Sequence, residues 1–225
     1  MLNLNDVVGV GGKVTPGTVL AAYCEGVFPW FANDQTDVLW WSPDPRFVLD
    51  LSDLHYGRTV RRTLKKLTFT LDSAFDQVIQ TCADMRYDKR PNGGTERRAT
   101  WITPSMALTF RKLHREGLAH SVEAWDGSEL VGGLYGLAIG GMFYGESMFS
   151  ITPNASKAAF VTLAQKLPDF GIERIDCQMA TPTTRYLGGK FVSRTEFTAD
   201  LKRQLVKVPT TRGKWSLEGH GTTLP

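Results

Sequence analysis

The stretch AHSVEAWDGSELVGGLYGLAIGGMFYGESMFS, residues 119–150, decides the fold. It contains three strand-like runs separated by two turn signals, Asp126-Gly127 and Gly140-Gly141. Dipeptides of this kind between β-prone runs are typical of hairpin turns. The stretch therefore predicts three consecutive strands.

Helical and strand-like segments alternate on both sides of this stretch. LTFTLD (67–72) predicts a strand, AFDQVIQTCADM (74–85) an amphipathic helix, and PSMALTFRKLHREG (104–117) a helix that begins at Pro104 and ends before Gly117. A further helix is expected from residue 154, capped by Asn154 or Ser156, and RIDCQMA (174–180) predicts a short buried strand. This order predicts a mixed α/β (α+β) layer fold.

The N-terminal part of the chain is rich in loops and aromatic residues. A short helix ends near Gly26, and Pro29, Pro43 and Pro45 then impose an irregular path. We expect a small N-terminal domain over residues 1–53 and a larger domain over residues 54–225. At the boundary, Ser52 or Asp53 is expected to cap a basic helix.

The composition argues against a membrane protein and against a disulfide-rich secreted protein. No apolar run approaches the roughly 20 residues of a membrane span, and three widely spaced cysteines form neither a disulfide framework nor a metal motif. We therefore expect a reduced cytoplasmic protein that does not enter the membrane. Phosphate-loop, dinucleotide and HExxH motifs are missing, so we expect no cofactor and no metal.

One carboxylate lies among apolar residues in GMFYGESMFS (141–150). On a strand, Glu146 and Met148 face one way. A carboxylate in such surroundings is paired, protonated or at the mouth of a site, and the alternative is a strand end in water.

RIDCQMA adds two polar side chains to a buried strand. Asp176 and Gln178 are expected on one face, where they bind a ligand or each other. Ile175, Cys177 and Met179 are expected in the core, with Cys177 structural rather than nucleophilic.

A basic run, GRTVRRTLKK (57–66), has no acidic residue. Four of its cations share one helix face, namely Arg58, Arg62, Lys65 and Lys66. This face is either a solvated surface or a stripe that binds phosphates.

Seven segments, in this order, resemble leucyl/phenylalanyl-tRNA–protein transferases: AAYCEGVFPWF, LWWSPDPRFVL, TWITPSM, LHREGLAHSVEAW, ELVGGLYGLAIGGMFYGESMFS, NASKAAF and IDCQ. The resemblance implies an enzyme that moves Leu or Phe from charged tRNA to the N-terminal α-amine of proteins that begin with Lys or Arg. The product is thereby marked for N-degron proteolysis. The resemblance also implies that the larger domain has the fold of acyl-CoA N-acyltransferases (GNAT-like).

The resemblance carries roles to individual residues. Trp30 and Trp101 would hold the terminal adenosine of the tRNA, and Arg58, Arg62, Lys65 and Lys66 its phosphates. Asp176, Gln178 and Glu146 would be catalytic, with Asp176 orienting Gln178. The aminoacyl side chain would enter a pocket formed by Leu134, Met148, Phe160, Leu163 and Ile175.

Some features depart from the family pattern, and alternatives stay open. The loop at 88–98 is longer, and Leu134 and Phe160 differ from the commoner residues; a larger Phe160 would favour Leu over Phe. We expect a monomer. The main alternative is a related aminoacyl-tRNA-dependent transferase with another amino-acid or acceptor preference. Others are an acyl-CoA N-acyltransferase, although TPNASKAAF lacks a glycine-rich loop, and a non-catalytic tRNA-binding module.

Overall fold

The structure is a computed structural model of the chain, and it describes residues 4–84, 102–207 and 213–217, with the backbone alone of residues 87–89 and 95–97. The helices in these ranges are α1 (Pro16–Cys24), α2 (Arg58–Lys66), α3 (Phe75–Asp84), α4 (Pro104–Arg115), α5 (Ala155–Lys166), α6 (Pro182–Tyr186) and α7 (Arg194–Leu205). The strands are β1 (Val7–Val10), β2 (Phe28–Pro29), β3 (Leu39–Trp41), β4 (Arg46–Asp50), β5 (Thr68–Leu71), β6 (Tyr87–Lys89), β7 (Thr95–Arg97), β8 (Ala119–Asp126), β9 (Glu129–Ile139), β10 (Met142–Ser150), β11 (Arg174–Asp176) and β12 (Lys190–Val192).

A seven-stranded sheet in the order β12-β4-β11-β10-β9-β8-β5 forms the centre of the molecule. Its strands pair antiparallel except β10 and β11, which are parallel. The predicted run of three strands is confirmed as β8, β9 and β10, with Gly127 and Gly140 at positive φ in the turns between them. The predicted mixed α/β class is likewise confirmed.

Two hydrophobic cores pack on the sheet. One contains side chains of α1, α3, α4 and α7, and the other contains those of α2 and α5. A helix on each face buries both sides of the central strands, and β9 is accordingly buried along most of its length.

The first strands form a second sheet, in the order β1-β3-β2. β4 lies within the first 53 residues but pairs with β11 and β12 in the seven-stranded sheet. The division of the chain at residue 53 stays a prediction.

The helix starts follow the expected signals in some places and not in others. Thr103 accepts a hydrogen bond from the Met106 amide, and Pro104 is the first residue of α4, as predicted. The expected cap of α2 is wrong, because Ser52 and Asp53 lie in a separate 3-10 turn and the cap position is Gly57.

The start of α5 agrees with the expectation in position but not in hydrogen bonding. Asn154 holds the cap position, at a φ of 65°, but its side chain makes no capping hydrogen bond. Instead, Ser150 Oγ at the end of β10 accepts from the Ser156 amide at 3.1 Å. A strand end thus satisfies a helix-terminal N–H.

Candidate active site

The Glu146 carboxylate lies at an irregularity in β10, where the pairing with β9 shifts between Gly145 and Ser147. Its Oε1 accepts a hydrogen bond from the Tyr23 hydroxyl at 2.6 Å and from Gln178 Nε2 at 3.0 Å. The side chain is half-buried. Of the alternatives from the sequence, Glu146 is therefore paired rather than a strand end in water.

Burial, assisted by the neighbouring Asp176 carboxylate, raises the pKa of Glu146 to about 8, even though the hydrogen bonds from Tyr23 and Gln178 lower it. Burial also raises the pKa of Tyr23 well above its ordinary value, with Glu146 contributing in the same direction. Glu146 can thus gain or lose a proton near neutral pH, whereas Tyr23 stays a donor.

Asp176 ends β11 and forms a buried ion pair with Arg46 of β4. Arg46 Nε donates to Asp176 Oδ1 at 2.9 Å and Nη2 donates to Oδ2 at 2.7 Å, with side chains 1% and 0% exposed. Asp176 Oδ1 also accepts from the Gln178 amide at 2.8 Å. Asp176 Oδ1 therefore holds the backbone N–H of Gln178, while Arg46 holds the carboxylate in place.

The expectation that Asp176 and Gln178 share one face of a continuous strand is wrong. β11 ends at Asp176, and Gln178 has a φ of 60°, which turns the chain away from the sheet. Of the residues expected in the core, Met179 lines the smaller cavity, whereas Cys177 lines both cavities and also packs against the core of α2 and α5. Burial raises the pKa of the Cys177 thiol, which agrees with a residue that is not a nucleophile.

Two cavities open where β10 and β11 diverge, since their pairing ends at Tyr144 and Asp176. One has a volume of about 280 Å³ and the other about 150 Å³. They have four wall residues in common, namely Gly145, Glu146, Cys177 and Thr181. Glu146 thus lies at the boundary between the two cavities.

Trp30 lines the smaller cavity, together with Phe28, Glu146 and Gln178. Its ring centroid lies 5.7 Å from that of Trp41, whose Nε1 donates to the Trp30 carbonyl at 2.8 Å. Buried Trp41 therefore holds the loop that carries Trp30. The other predicted adenosine residue, Trp101, lies outside the described residues.

The larger cavity contains four of the five predicted pocket residues: Leu134, Met148, Phe160 and Leu163. The fifth, Ile175, is fully buried and does not line the cavity, because its side chain packs within the core. Phe143 and three threonines, Thr181, Thr183 and Thr184, are also among the wall residues. The cavity is thus mainly apolar, with hydroxyl groups on the α6 side.

The basic helix α2 borders a separate open groove of about 800 Å³. Arg58, Arg62 and Lys65 line this groove, as does Arg61, which the face prediction left out. Lys66 does not line it, since its ammonium pairs with Asp126 at 2.7 Å. Three of the four cations predicted for the stripe therefore line the groove, together with Arg61.

Sequence reasoning did not identify two residues of this site, Tyr23 and Arg46. Tyr23 belongs to the apolar face of α1, and Arg46 follows a proline-rich turn. Neither position carries a local signal, although Arg46 is a cation between apolar neighbours in SPDPRFVL.

Groups of three or more His, Cys, Asp or Glu residues that could hold a metal do not occur in the described part of the chain. Within the same residues, the structure has no helix that could cross a bilayer.

The chain is similar to known proteins over nearly its whole length. A family model described as leucyl/phenylalanyl-tRNA protein transferase matches residues 48–202, and one for the N-terminal domain of the same family matches residues 12–44. A leucyl/phenylalanyl-tRNA–protein transferase from Anaeromyxobacter dehalogenans (strain 2CP-C) is 46% identical over 219 residues, which are 96% of this chain and 90% of that protein. One from Saccharophagus degradans is 43% identical over 225 residues, covering 96% and 89%.

A solved structure gives a weaker match. The C-terminal domain (DUF2156) of a protein assigned as a lysylphosphatidylglycerol synthetase from Agrobacterium fabrum has a TM-score of 0.42 and 14% identity, over 76% of this chain and 54% of that one. This likeness supports no conclusion about fold or function. The family models and relatives confirm what the sequence motifs predicted, and the chain belongs to the leucyl/phenylalanyl-tRNA protein transferase family.

Proposed function

We propose that this chain transfers leucine or phenylalanine from charged tRNA to the N-terminal α-amine of proteins that begin with Lys or Arg. The observation that carries the proposal is the pair of adjoining cavities with Glu146 at their boundary. An aminoacyl-adenosine end has two bulky parts, a nucleoside and a side chain, joined at one ester. Two cavities with a common wall suit such a substrate.

The smaller cavity would take the terminal adenosine, because Trp30 offers an aromatic face there. Stacking of a base on an aromatic side chain contributes roughly 1–3 kcal/mol. Trp101 is proposed as the second aromatic residue. The α2 cations that line the groove would bind acceptor-stem phosphates by charge and shape rather than by base sequence.

The larger cavity would take the aminoacyl side chain, since Leu134, Met148, Phe160 and Leu163 make it apolar. Ile175 would support these residues from the core. Phe160 is 3% exposed and fills part of the space. We propose that this favours leucine over phenylalanine.

The chemistry is aminolysis of an ester that is already activated. The neutral α-amine attacks the ester carbonyl, a C–N bond forms, and the C–O bond to the ribose breaks. The amine nitrogen loses one proton, and the departing ribose oxygen takes one up. Alignment of the two reactants can supply several kcal/mol of the barrier.

Glu146 is suited to hold the attacking amine and to pass its proton, because its pKa of about 8 is close to that of an α-amine. Gln178 Nε2 has a second N–H available for the ester carbonyl or the incoming peptide. Asp176 and Arg46 would act behind Gln178 and fix its position.

The proposal also covers the fold of the larger domain, the oligomeric state and the place of action. We propose a GNAT-like fold for the larger domain, supported by the parallel β10–β11 pair that diverges at the cavities. We also propose that the protein acts as a monomer in the cytoplasm, where charged tRNA is available, and that the added residue marks its substrates for N-degron proteolysis.

The test offers radiolabelled Leu-tRNA, Phe-tRNA and Met-tRNA to reporter proteins that begin with Lys, Arg, Asp or Glu. We expect label on Lys- and Arg-initiated reporters, with Leu preferred. Gln178→Ala should lower turnover far more than tRNA affinity, and Lys66→Ala serves as the matched control outside the groove. Failure to label any reporter would refute the proposal, and stabilisation by coenzyme A would favour an acyl-CoA transferase instead.

A further inference from the structure

We infer that Trp215 is a positioning residue for the larger cavity, where it supports Phe143 from behind and limits the size of the side chain that the cavity accepts. The inference rests on the proposed function, because the cavity is taken to receive the aminoacyl group. It concerns a tryptophan far along the chain that lines neither cavity.

Trp215 is firmly docked into the body of the protein. Its side chain is 2% exposed. Its indole stacks on the His120 ring with centroids 3.7 Å apart and planes 8° apart, and it packs on Phe170 at 4.1 Å. The Trp215 amide donates to Asp72 Oδ2 at 2.7 Å, and the same carboxylate oxygen accepts from His120 Nδ1 at 2.8 Å. Both the backbone and the ring of Trp215 are thus held, with Asp72 common to the two contacts.

The chain just before Trp215 is also tightly packed. A Cβ on Gly117 would lie 2.4 Å from the Gly213 nitrogen, so the two backbones meet where only glycine fits. Gly117 has a φ of 72°, which a side chain would strain in any case. The docked segment 213–217 is therefore part of the folded body.

Phe143 connects this segment to the cavity. It lines the larger cavity, and its ring centroid lies 6.2 Å from that of Trp215. The same ring lies against the backbone of Gly136, where a Cβ would come within 2.6 Å of it. Phe143 is thus confined by Gly136 and Trp215 while one part of it faces the cavity.

A smaller residue at 215 would leave space next to Phe143. Close-packed interiors relax partly into such space, so the Phe143 ring would move away from the cavity. The cavity would then become larger and accept phenylalanine more readily. Discrimination between apolar side chains of different size depends on such small differences in fit.

The experiment measures kcat/KM of the full chain with Leu-tRNA and Phe-tRNA on one Lys-initiated reporter. We expect Trp215→Leu to raise the Phe/Leu ratio about fivefold or more, and Trp215→Phe to shift it less in the same direction. The control is Ile79→Ala, which removes buried volume from the opposite core. It should lower Tm and leave the ratio unchanged.

A second comparison separates positioning from general loosening. Phe143→Leu alone should shift the ratio, and adding Trp215→Leu to it should produce little further change, because the effect passes through the Phe143 ring. An unmoved ratio in an active Trp215→Leu variant, or a full additional shift in the Phe143→Leu background, overturns the inference alone. A wild-type chain that transfers neither amino acid overturns the proposed function as well.

Discussion

Replacement of Arg46 by methionine would leave the Asp176 carboxylate buried without its partner. The two side chains are 1% and 0% exposed and are joined by two hydrogen bonds. Removing one member of a buried ion pair typically costs about 3–5 kcal/mol, because the remaining charge is not solvated. The guanidinium also lies over the Phe28 and Phe197 rings at 4.9 and 4.7 Å, and those contacts would be lost.

We therefore expect Arg46→Met to lower the free energy of unfolding by about 4 kcal/mol, a large part of the roughly 5–15 kcal/mol of a typical domain. Urea unfolding at neutral pH measures this loss. The control is Lys66→Met, which breaks a pair of similar length to Asp126 at the surface. Exposed pairs contribute at most about 1 kcal/mol.

The double variant Arg46→Met/Asp176→Asn decides whether the ion pair is the cause. The introduced amide oxygen would still accept from the Gln178 amide but carries no charge, so the double variant should be more stable than the sum of the single changes by about 2 kcal/mol. Additivity within about 0.5 kcal/mol, or a loss below about 1 kcal/mol for Arg46→Met, would refute the reasoning. Turnover should fall in Arg46→Met, because the carboxylate that accepts from the Gln178 amide loses its own partner.

Three further outcomes follow from the site. Burial raises the pKa of Glu146 from an ordinary 4.5 to about 8, so the folded protein favours the protonated carboxyl. The stability that this protonated carboxyl contributes is fully present below pH 4.5 and is lost as the pH rises to 8. Glu146→Gln should therefore gain stability relative to wild type over that range, by a few kcal/mol in urea unfolding; parallel pH profiles would contradict this. Trp30→Ala should weaken binding of charged tRNA about 5- to 150-fold, measured by filter binding, since stacking contributes roughly 1–3 kcal/mol; unchanged affinity would remove Trp30 from the adenosine site. Arg62→Ala should reduce the slope of log K against log salt by about 1, whereas Lys66→Ala should change it less because its ammonium is already paired; equal slopes for both variants would count against the groove.

The sequence predicted those parts of the fold that have local causes. The hairpin turns at Gly127 and Gly140 need positive φ. Pro104 begins α4, and the preceding Thr103 side chain accepts a hydrogen bond from the Met106 amide. Glu146 was identified because a carboxylate among apolar residues requires a partner. In each case the signal lies within a few residues of the feature that it predicts.

The remaining features depend on distant partners. Tyr23 and Glu146 are 123 residues apart, and Arg46 and Asp176 are 130 residues apart. No spacing rule within one helix or strand relates such positions. The end of β11 at Asp176 was also missed, because the φ of 60° at Gln178 accompanies a long-range arrangement rather than a glycine or a proline.

Arg46 lies between the two stretches that the family models match, 12–44 and 48–202. Its guanidinium nevertheless reaches both, since it donates to the Gly26 carbonyl at 3.1 Å as well as to Asp176. Arg46 therefore fixes the two matched stretches to each other, and the junction between them is rigid rather than a hinge. Chimaeras that exchange the N-terminal module between relatives should work only when the incoming loop and the recipient strand suit the same arginine.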